Sequence, residues 1–295
     1  MVGIVELRLP YRAPCDVVGL VQFFAARAVP GVEQVDGDVY LRSVRLPSGP
    51  GIVAVRPDGE HVEAKLWMRD RGDLAAAAAA SRRLLDLDTE PTPIVDALGG
   101  DELIGKIVRA APGRRVPGVV DPDELAIRAV LGQQVSLAGA ATLAGRLVSA
   151  YGEPLEQRVG SLTHLFPSAA ALAHADPDRL AMPWPRRRAL IGLATALADG
   201  EIVLDTGVMA PDEIERRLLA LPGVGPWTVA YISMRALRDP DAFMPTDLGV
   251  RHGLERLGRD GRPASASAVA ERWRPYRAYA TQHLWAQLPS PSHAA

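Results

Sequence analysis

The apolar period of this 295-residue chain changes once, and that change decides what it can fold into. Up to about residue 88, apolar residues mostly alternate with polar ones. "VELRL" puts Val5, Leu7 and Leu9 on one side of an extended segment, and "DGDVYLRSVRL" and "GIVAVRPDGEHVEAKLW" read as strands too. Pro57-Asp58-Gly59, inside the last of these, predicts a hairpin turn. Two helical stretches flank the strands. "CDVVGLVQFFAARA" has Val17, Leu20, Val21 and Phe24 at helical spacing, and "DRGDLAAAAAASRRLLDL" is rich in alanine, the best helix former. Strands joined mostly by hairpins predict an antiparallel sheet with both helices on one face.

"TEPTPIV" (89–95) marks a boundary, because proline stops helices, and beyond it almost everything reads as helix. "DPDELAIRAVLGQQVSLAGAATLAGRLVSAYG" divides near 132–135 into two helices, the second capped by Ser136. "PRRRALIGLATALADG" ends at Gly200, and "PDEIERRLLA" begins with Pro211 and two acids that suit a helix N-terminus. "DLGVRHGLERLG" and "SASAVAERWRPYRAYATQHLWAQL" follow, and the last few residues are expected to fray. The expected class is therefore mainly α, with an N-terminal α+β domain.

Composition narrows the function classes. With 48% hydrophobic and 23% charged residues the chain can bury several cores. A single cysteine, Cys15, excludes a disulfide framework and any multi-cysteine zinc or iron–sulfur site. There is no 18-residue apolar run and no basic-then-apolar start, so a cytoplasmic location and no membrane contact are expected. The six histidines show no metal-ligand spacing, so no metal or cofactor is expected in catalysis. Net charge is −2, yet residues 221–295 carry nine arginines against six acids. That surplus suits a nucleic-acid face or an ordinary solvated one. "PRRR", ending at Arg188, reads as a solvated helix face.

The chemistry concentrates in "LPGVGPWTVAYISMRALRDPDAFMPTDLGVR", from Leu221 to Arg251. A five-residue turn joins two amphipathic helices. Its glycines, Gly223 and Gly225, permit positive φ and leave the backbone bare around Val224. Pro226 suits the first helical position. The backbone N–H groups of the turn and of the helix start, out to Thr228, can grip a phosphodiester oxygen. Trp227 and Tyr231 share a helix face, either as core or as the wall of a pocket. Asp247 opens the next helix, either as a simple N-cap or as a carboxylate facing a developing cation.

With these residues the chain resembles the helix-hairpin-helix superfamily of base-excision DNA glycosylases, and within it the alkylation-repair, DNA-3-methyladenine glycosylase II type. "GLVQFFAARAVPGVE", "IRAVLGQQVS", "MPWPRRRALIGLA", "LPGVGPWTVAYISMRA" and "ERWRPYRAYATQHLW" look like family blocks, in family order, over essentially the whole chain. The resemblance implies an antiparallel α/β domain (1–88), a helical domain carrying the hairpin 221–225 (116–239), and a second helical domain (89–115 plus 240–295). It implies that Asp247 is the catalytic carboxylate and that Trp227, Tyr231 and Trp285 line the pocket for an extruded base. It implies that Gly223, Val224, Gly225 and Thr228 hold the DNA backbone. It also implies that the carbonyls of Leu219, Leu221 and Val224 hold a structural Na+ or K+. It implies, finally, that the residue at the Gln134 position plugs the gap left by the flipped base; a glutamine there departs from the usual apolar wedge.

The lysine of the superfamily's lyases falls at Trp227, and no lysine follows Lys106. The expected activity is therefore hydrolysis alone: a monomeric glycosylase that releases alkylated bases such as 3-methyladenine and 7-methylguanine from double-stranded DNA. The alternatives are the same fold acting on deaminated or oxidised purines, and a non-catalytic DNA-binding module.

Overall fold

A computed structural model describes residues 3–288; the expected fraying of the last residues lies outside the described residues. The chain opens with β1 (Gly3–Pro10) and α1 (Val17–Ala25). Four strands follow: β2 (Glu33–Asp36), β3 (Val39–Leu46), β4 (Gly49–Asp58) and β5 (His61–Met68). They form one antiparallel sheet in the order β1-β5-β4-β3-β2. The hairpin at Asp58-Gly59 is present: Asp58 pairs with His61, and Gly59 takes φ +60° between them. β2 is a separate strand that periodicity did not reveal. It has four residues and a single aliphatic, Val35, too few to show a period.

α1 and α2 (Leu74–Leu84) both pack on one face of the sheet, as the alternation predicts. Val17, Leu20, Val21 and Phe24 meet Tyr40, Val44, Val53, Val55 and Leu66 there. The opposite face is covered as well. Leu41, Ile52 and Ala54 pack against Leu155, Leu162 and Leu165, which come from later in the chain. With both faces covered, β3 is buried at nearly every position rather than at every second one.

The remainder is helical: α3 (Thr92–Gly99), α4 (Gly105–Ala110), α5 (Pro122–Leu131) and α6 (Leu137–Tyr151). A short ribbon, β6 (Glu153–Pro154) with β7 (His164–Leu165), interrupts them and supplies the second cover of the sheet. Then come α7 (Ala169–Ala173), α8 (Trp184–Ala198), α9 (Pro211–Ala220), α10 (Pro226–Arg235), α11 (Leu248–Arg256), α12 (Pro263–Ala270) and α13 (Arg277–Trp285). The last helical stretch of the sequence divides between α12 and α13 because Pro275 interrupts it. Ser136 caps α6 by accepting from the Gly139 N–H at 3.1 Å.

α10 joins two helical cores. Val229 and Ile232 pack among α5, α6 and α8, whereas Met234 packs with α3, α11 and α13. A buried ionic network ties α5 to the sheet. Arg42 donates to Glu124 at 2.6 Å and lies 3.5 Å from Glu33; Arg128 reaches Glu33 at 2.9 Å and Glu124 at 2.8 Å. Arg128 also donates to the Arg27 carbonyl at 2.9 Å, fixing the chain just beyond α1.

His283, on α13, is 3% exposed. Burial, with Arg114 nearby, pushes its imidazole down from 6.5 to about 3. The unfolded chain therefore takes up this proton below pH 6.5, while the folded chain does so only near pH 3. This group's stabilisation is complete above pH 6.5 and falls as pH drops, by about 1.4 kcal/mol per pH unit. Urea unfolding between pH 6.5 and 4.5 should show a shallower loss of stability in His283→Met than in the wild type; parallel losses would contradict this.

Candidate active site

The hairpin expected at 221–225 joins α9 to α10. Gly223 needs its glycine twice. Its φ is +85°, and a Cβ there would lie 2.7 Å from Ala189 Cβ on α8. Gly225 differs from the sequence expectation: its φ is −104°, an ordinary extended value, and a Cβ would meet only open space. Pro226 opens α10, and no side chain caps that helix. Its first-turn N–H groups are left without the usual capping oxygen. Val224 is buried, Leu221 is half-buried, and Leu219 is exposed. The Leu221 carbonyl accepts the Val224 N–H at 3.1 Å, closing the turn.

The loop between α5 and α6 is locked to this hairpin by Gln133, which sequence reasoning passed over for its neighbour. The Gln133 side-chain amide donates to the Gly223 carbonyl and to Thr228 Oγ1, both at 2.9 Å. Arg186 donates to the Gln133 carbonyl at 2.6 Å, which gives one arginine of "PRRR" a structural role. Gln134 is exposed and takes φ +56°. A non-glycine residue in this left-handed region costs on the order of 1 kcal/mol.

Asp247 sits at the start of α11 and caps it, accepting the Val250 N–H on Oδ1 at 2.9 Å. The capping alternative is therefore real, and it is not the whole of the residue's surroundings. Trp285, at the end of α13, donates its indole N–H to the same oxygen at 2.8 Å. Trp227, in the first turn of α10, donates to Oδ2 at 2.9 Å. Three elements thus aim one half-buried carboxylate. Each indole is also backed by a parallel ring. Trp227 stacks on Tyr231, with centroids 5.3 Å apart and planes 11° apart. Trp285 stacks on Phe23 of α1, at 6.3 Å and 16°.

Sequence reasoning missed Phe23 and Gly249. Phe23 lies off the buried stripe of α1, and a half-exposed aromatic on an otherwise satisfied helix was the available signal. Gly249 gave no signal. A Cβ there would lie 2.6 Å from Trp285 Cδ1 and 2.7 Å from its Nε1, so the missing side chain is what lets the indole reach Asp247.

Two guanidiniums border the rings. The Arg27 guanidinium carbon is 3.7 Å from the Phe23 centroid. That of Arg235 is 5.0 Å from Phe23 and 5.5 Å from Tyr231. Arg235 is buried. It donates to the carbonyls of Pro117 and Gly118 at 2.8 and 3.0 Å, and to the Tyr231 hydroxyl at 2.7 Å. Burial alone would raise the Tyr231 phenol; Arg235 and Arg27 outweigh it and hold the phenol below its usual value. The arrangement is an oriented anion between two indoles, each backed by a parallel ring, with two guanidiniums beside those rings. No helix of the described residues is long and apolar enough to cross a membrane.

Comparison with known proteins gives the chain's family and fold. Residues 6–121 match the model of the AlkA N-terminal domain, and residues 127–277 that of the HhH-GPD superfamily base excision DNA repair protein. The chain is 34% identical over 285 residues to the DNA-3-methyladenine glycosylase 2 of Escherichia coli (strain K12), covering 94% of this chain and 95% of that one. It is 50% identical over 289 residues to the probable bifunctional transcriptional activator/DNA repair enzyme AlkA of Mycobacterium tuberculosis (strain ATCC 25618 / H37Rv). That match covers 98% of this chain and spans 58% of the mycobacterial protein's length. Among solved structures, the 3-methyladenine DNA glycosylase from Archaeoglobus fulgidus shares the fold, with a TM-score of 0.81 at 21% identity over 95% of this chain and 97% of that one.

Gly249→Val should displace the Trp285 indole and cost about 1–3 kcal/mol by overpacking. The Trp285 indole N–H resonance should then move out of its hydrogen-bonded position. An unshifted resonance in a folded variant would contradict the close-approach role.

Proposed function

The chain belongs to the HhH-GPD superfamily of base excision DNA repair proteins, and from that premise we propose that it is a monofunctional DNA glycosylase hydrolysing the N-glycosidic bond of alkylated bases. The carrying observation is the half-buried Asp247 carboxylate, oriented by the indoles of Trp227 and Trp285, each of which stacks on a second ring. A pure DNA-binding module needs neither the carboxylate nor the stacked rings.

Chemistry on a base requires its extrusion from the duplex, at a cost of a few kcal/mol. The hairpin at Gly223, Val224, Gly225 and Thr228 grips the phosphate backbone through the uncapped N-terminus of α10. Gln134, held outward in its left-handed conformation, fills the vacated place in the stack. The extruded base lies among Trp227, Tyr231, Trp285 and Phe23. As the bond breaks, the deoxyribose C1′ becomes an oxocarbenium-like cation. A carboxylate about 4 Å away, at an effective dielectric near 20, stabilises it by roughly 4 kcal/mol, about a thousandfold in rate. Asp247 then takes a proton from the attacking water. Trp227 stands where a lyase would carry its amine, so the abasic site is left uncut.

The neutral carbonyl oxygens of Leu219, Leu221 and Val224 form a donor set that suits Na+ or K+, and such an ion would supply positive charge beside the docked phosphate. Leu221 has already given one lone pair to the Val224 N–H and keeps the other. In this reading the enzyme acts as a monomer on double-stranded DNA in the cytoplasm.

Chromatography of bases released from methylated duplex DNA tests the reading. The wild type should release 3-methyladenine and 7-methylguanine. Asp247→Asn should lose about a thousandfold in rate while still binding the duplex; near-normal release by this variant would refute the assignment. Borohydride should trap no protein–DNA adduct, and a trapped adduct would refute the purely hydrolytic mechanism.

A further inference from the structure

Gln133 joins three segments that are far apart in the chain. Its backbone N–H donates to the Val130 carbonyl at 3.3 Å, so it continues directly from α5. Its side-chain amide has two N–H groups, and both are used. They donate to the Gly223 carbonyl in the hairpin and to Thr228 Oγ1 in the first turn of α10, each at 2.9 Å. The Gln133 carbonyl in turn accepts from Arg186 of α8 at 2.6 Å. The next residue, Gln134, is exposed and holds φ +56°. The chain is pinned on both sides of it, by Gln133 to the hairpin and by Ser136 to the first turn of α6. A non-glycine residue in this conformation is strained and persists only where its surroundings over-determine it.

We propose that Gln133 is a positioning residue for base extrusion: its amide holds Gln134 in fixed register with the hairpin that grips the phosphate. This rests on the glycosylase reading above and on the roles it gives Gln134 and the hairpin. A side chain fills the place of an extruded base only if it enters the stack at the level set by the held phosphate. A loop free to swing would have to be ordered at every encounter, whereas a loop tied to the hairpin is ordered already on folding. The binding free energy of the docked backbone is then available to offset unstacking of the base. The tie depends on donors. Methionine has nearly the shape of glutamine and no donor. Glutamate has its shape, offers only acceptors when ionised, and would set a negative charge against the Gly223 carbonyl.

The test is single-turnover release of 7-methylguanine by the full chain from two duplexes, one with cytosine opposite the lesion and one with an abasic site there. An unpaired base costs less to extrude. Gln133→Met should slow release from the paired duplex about 30-fold, the scale of two ordinary hydrogen bonds. It should slow release from the gapped duplex only a few-fold, and Gln133→Glu should be slower still on the paired one. In a Gln134→Ala background Gln133→Met should add little, because the side chain that it positions is already gone. An unchanged rate, or substitutions whose effects multiply, would overturn the proposal. So would equal slowing on both duplexes, which would place the effect on Asp247 through Thr228 and Trp227 instead. In the wild type, the two Gln133 side-chain amide protons should stay hydrogen-bonded and slow to exchange when duplex is bound. Their release on binding would overturn the proposal even if the variants misfold. Wild-type release by Gln134→Ala would remove the gap-filling role and the proposal with it. A wild type that releases no base would sink the glycosylase reading itself, a result distinct from an active enzyme indifferent to Gln133.

Discussion

One carboxylate shared between two indole N–H groups organises the functional end of this molecule. Asp247 accepts from Trp227 on α10 and from Trp285 on α13, and so ties both helices to its own element, α11. Each indole also carries the surface on which a second ring stacks, so the bonds that aim the anion hold those stacked rings beside it as well. Hydrogen bonds to charged groups are the strong ones, at about 1.5–3 kcal/mol each. Losing one indole from Asp247 would therefore disturb the electrostatics and the walls together.

The rest of the fold serves this arrangement at a distance. The sheet supports α1, which supplies Phe23 behind Trp285. The buried network of Arg42, Glu33, Glu124 and Arg128 fixes α1 to α5, because Arg128 also binds the Arg27 carbonyl. Gln133 couples the loop after α5 to the hairpin, so a strained Gln134 and an uncapped α10 face solvent from adjoining segments. Arg235 is the cross-brace. It spans from Tyr231 on α10 to the backbone at 117–118, where the chain passes into α5.

Much of this was legible in the residues. The switch from alternating to helical spacing gave the antiparallel sheet with α1 and α2 on one face, and the helices beyond it. The turn at Leu221 to Gly225 was recognisable because two glycines and a helix-starting proline have few other uses in that order. Trp227, Trp285 and Asp247 were named from sequence, and the fold brings both indoles within hydrogen-bonding distance of the carboxylate. What was hidden depends on contacts between distant segments. Phe23 and Arg27 are 200 residues or more from Tyr231 and Trp285, and no periodicity links them. Gly249 is informative only through the indole that occupies its missing Cβ position. The ribbon β6–β7 is two residues per strand, too short for a period, yet it closes the second face of the sheet.

The central claim is that the indole-held carboxylate faces a sugar that becomes positive. Its most direct measurement is the affinity of the protein for a duplex with a cationic pyrrolidine in place of one deoxyribose, set beside the same duplex with an uncharged tetrahydrofuran. If the account holds, the cationic analogue binds at least about a hundredfold more tightly, as a transition-state mimic should. That preference should disappear when Asp247 is replaced by asparagine. Equal affinity for the two duplexes, or a preference that survives the replacement, would contradict it.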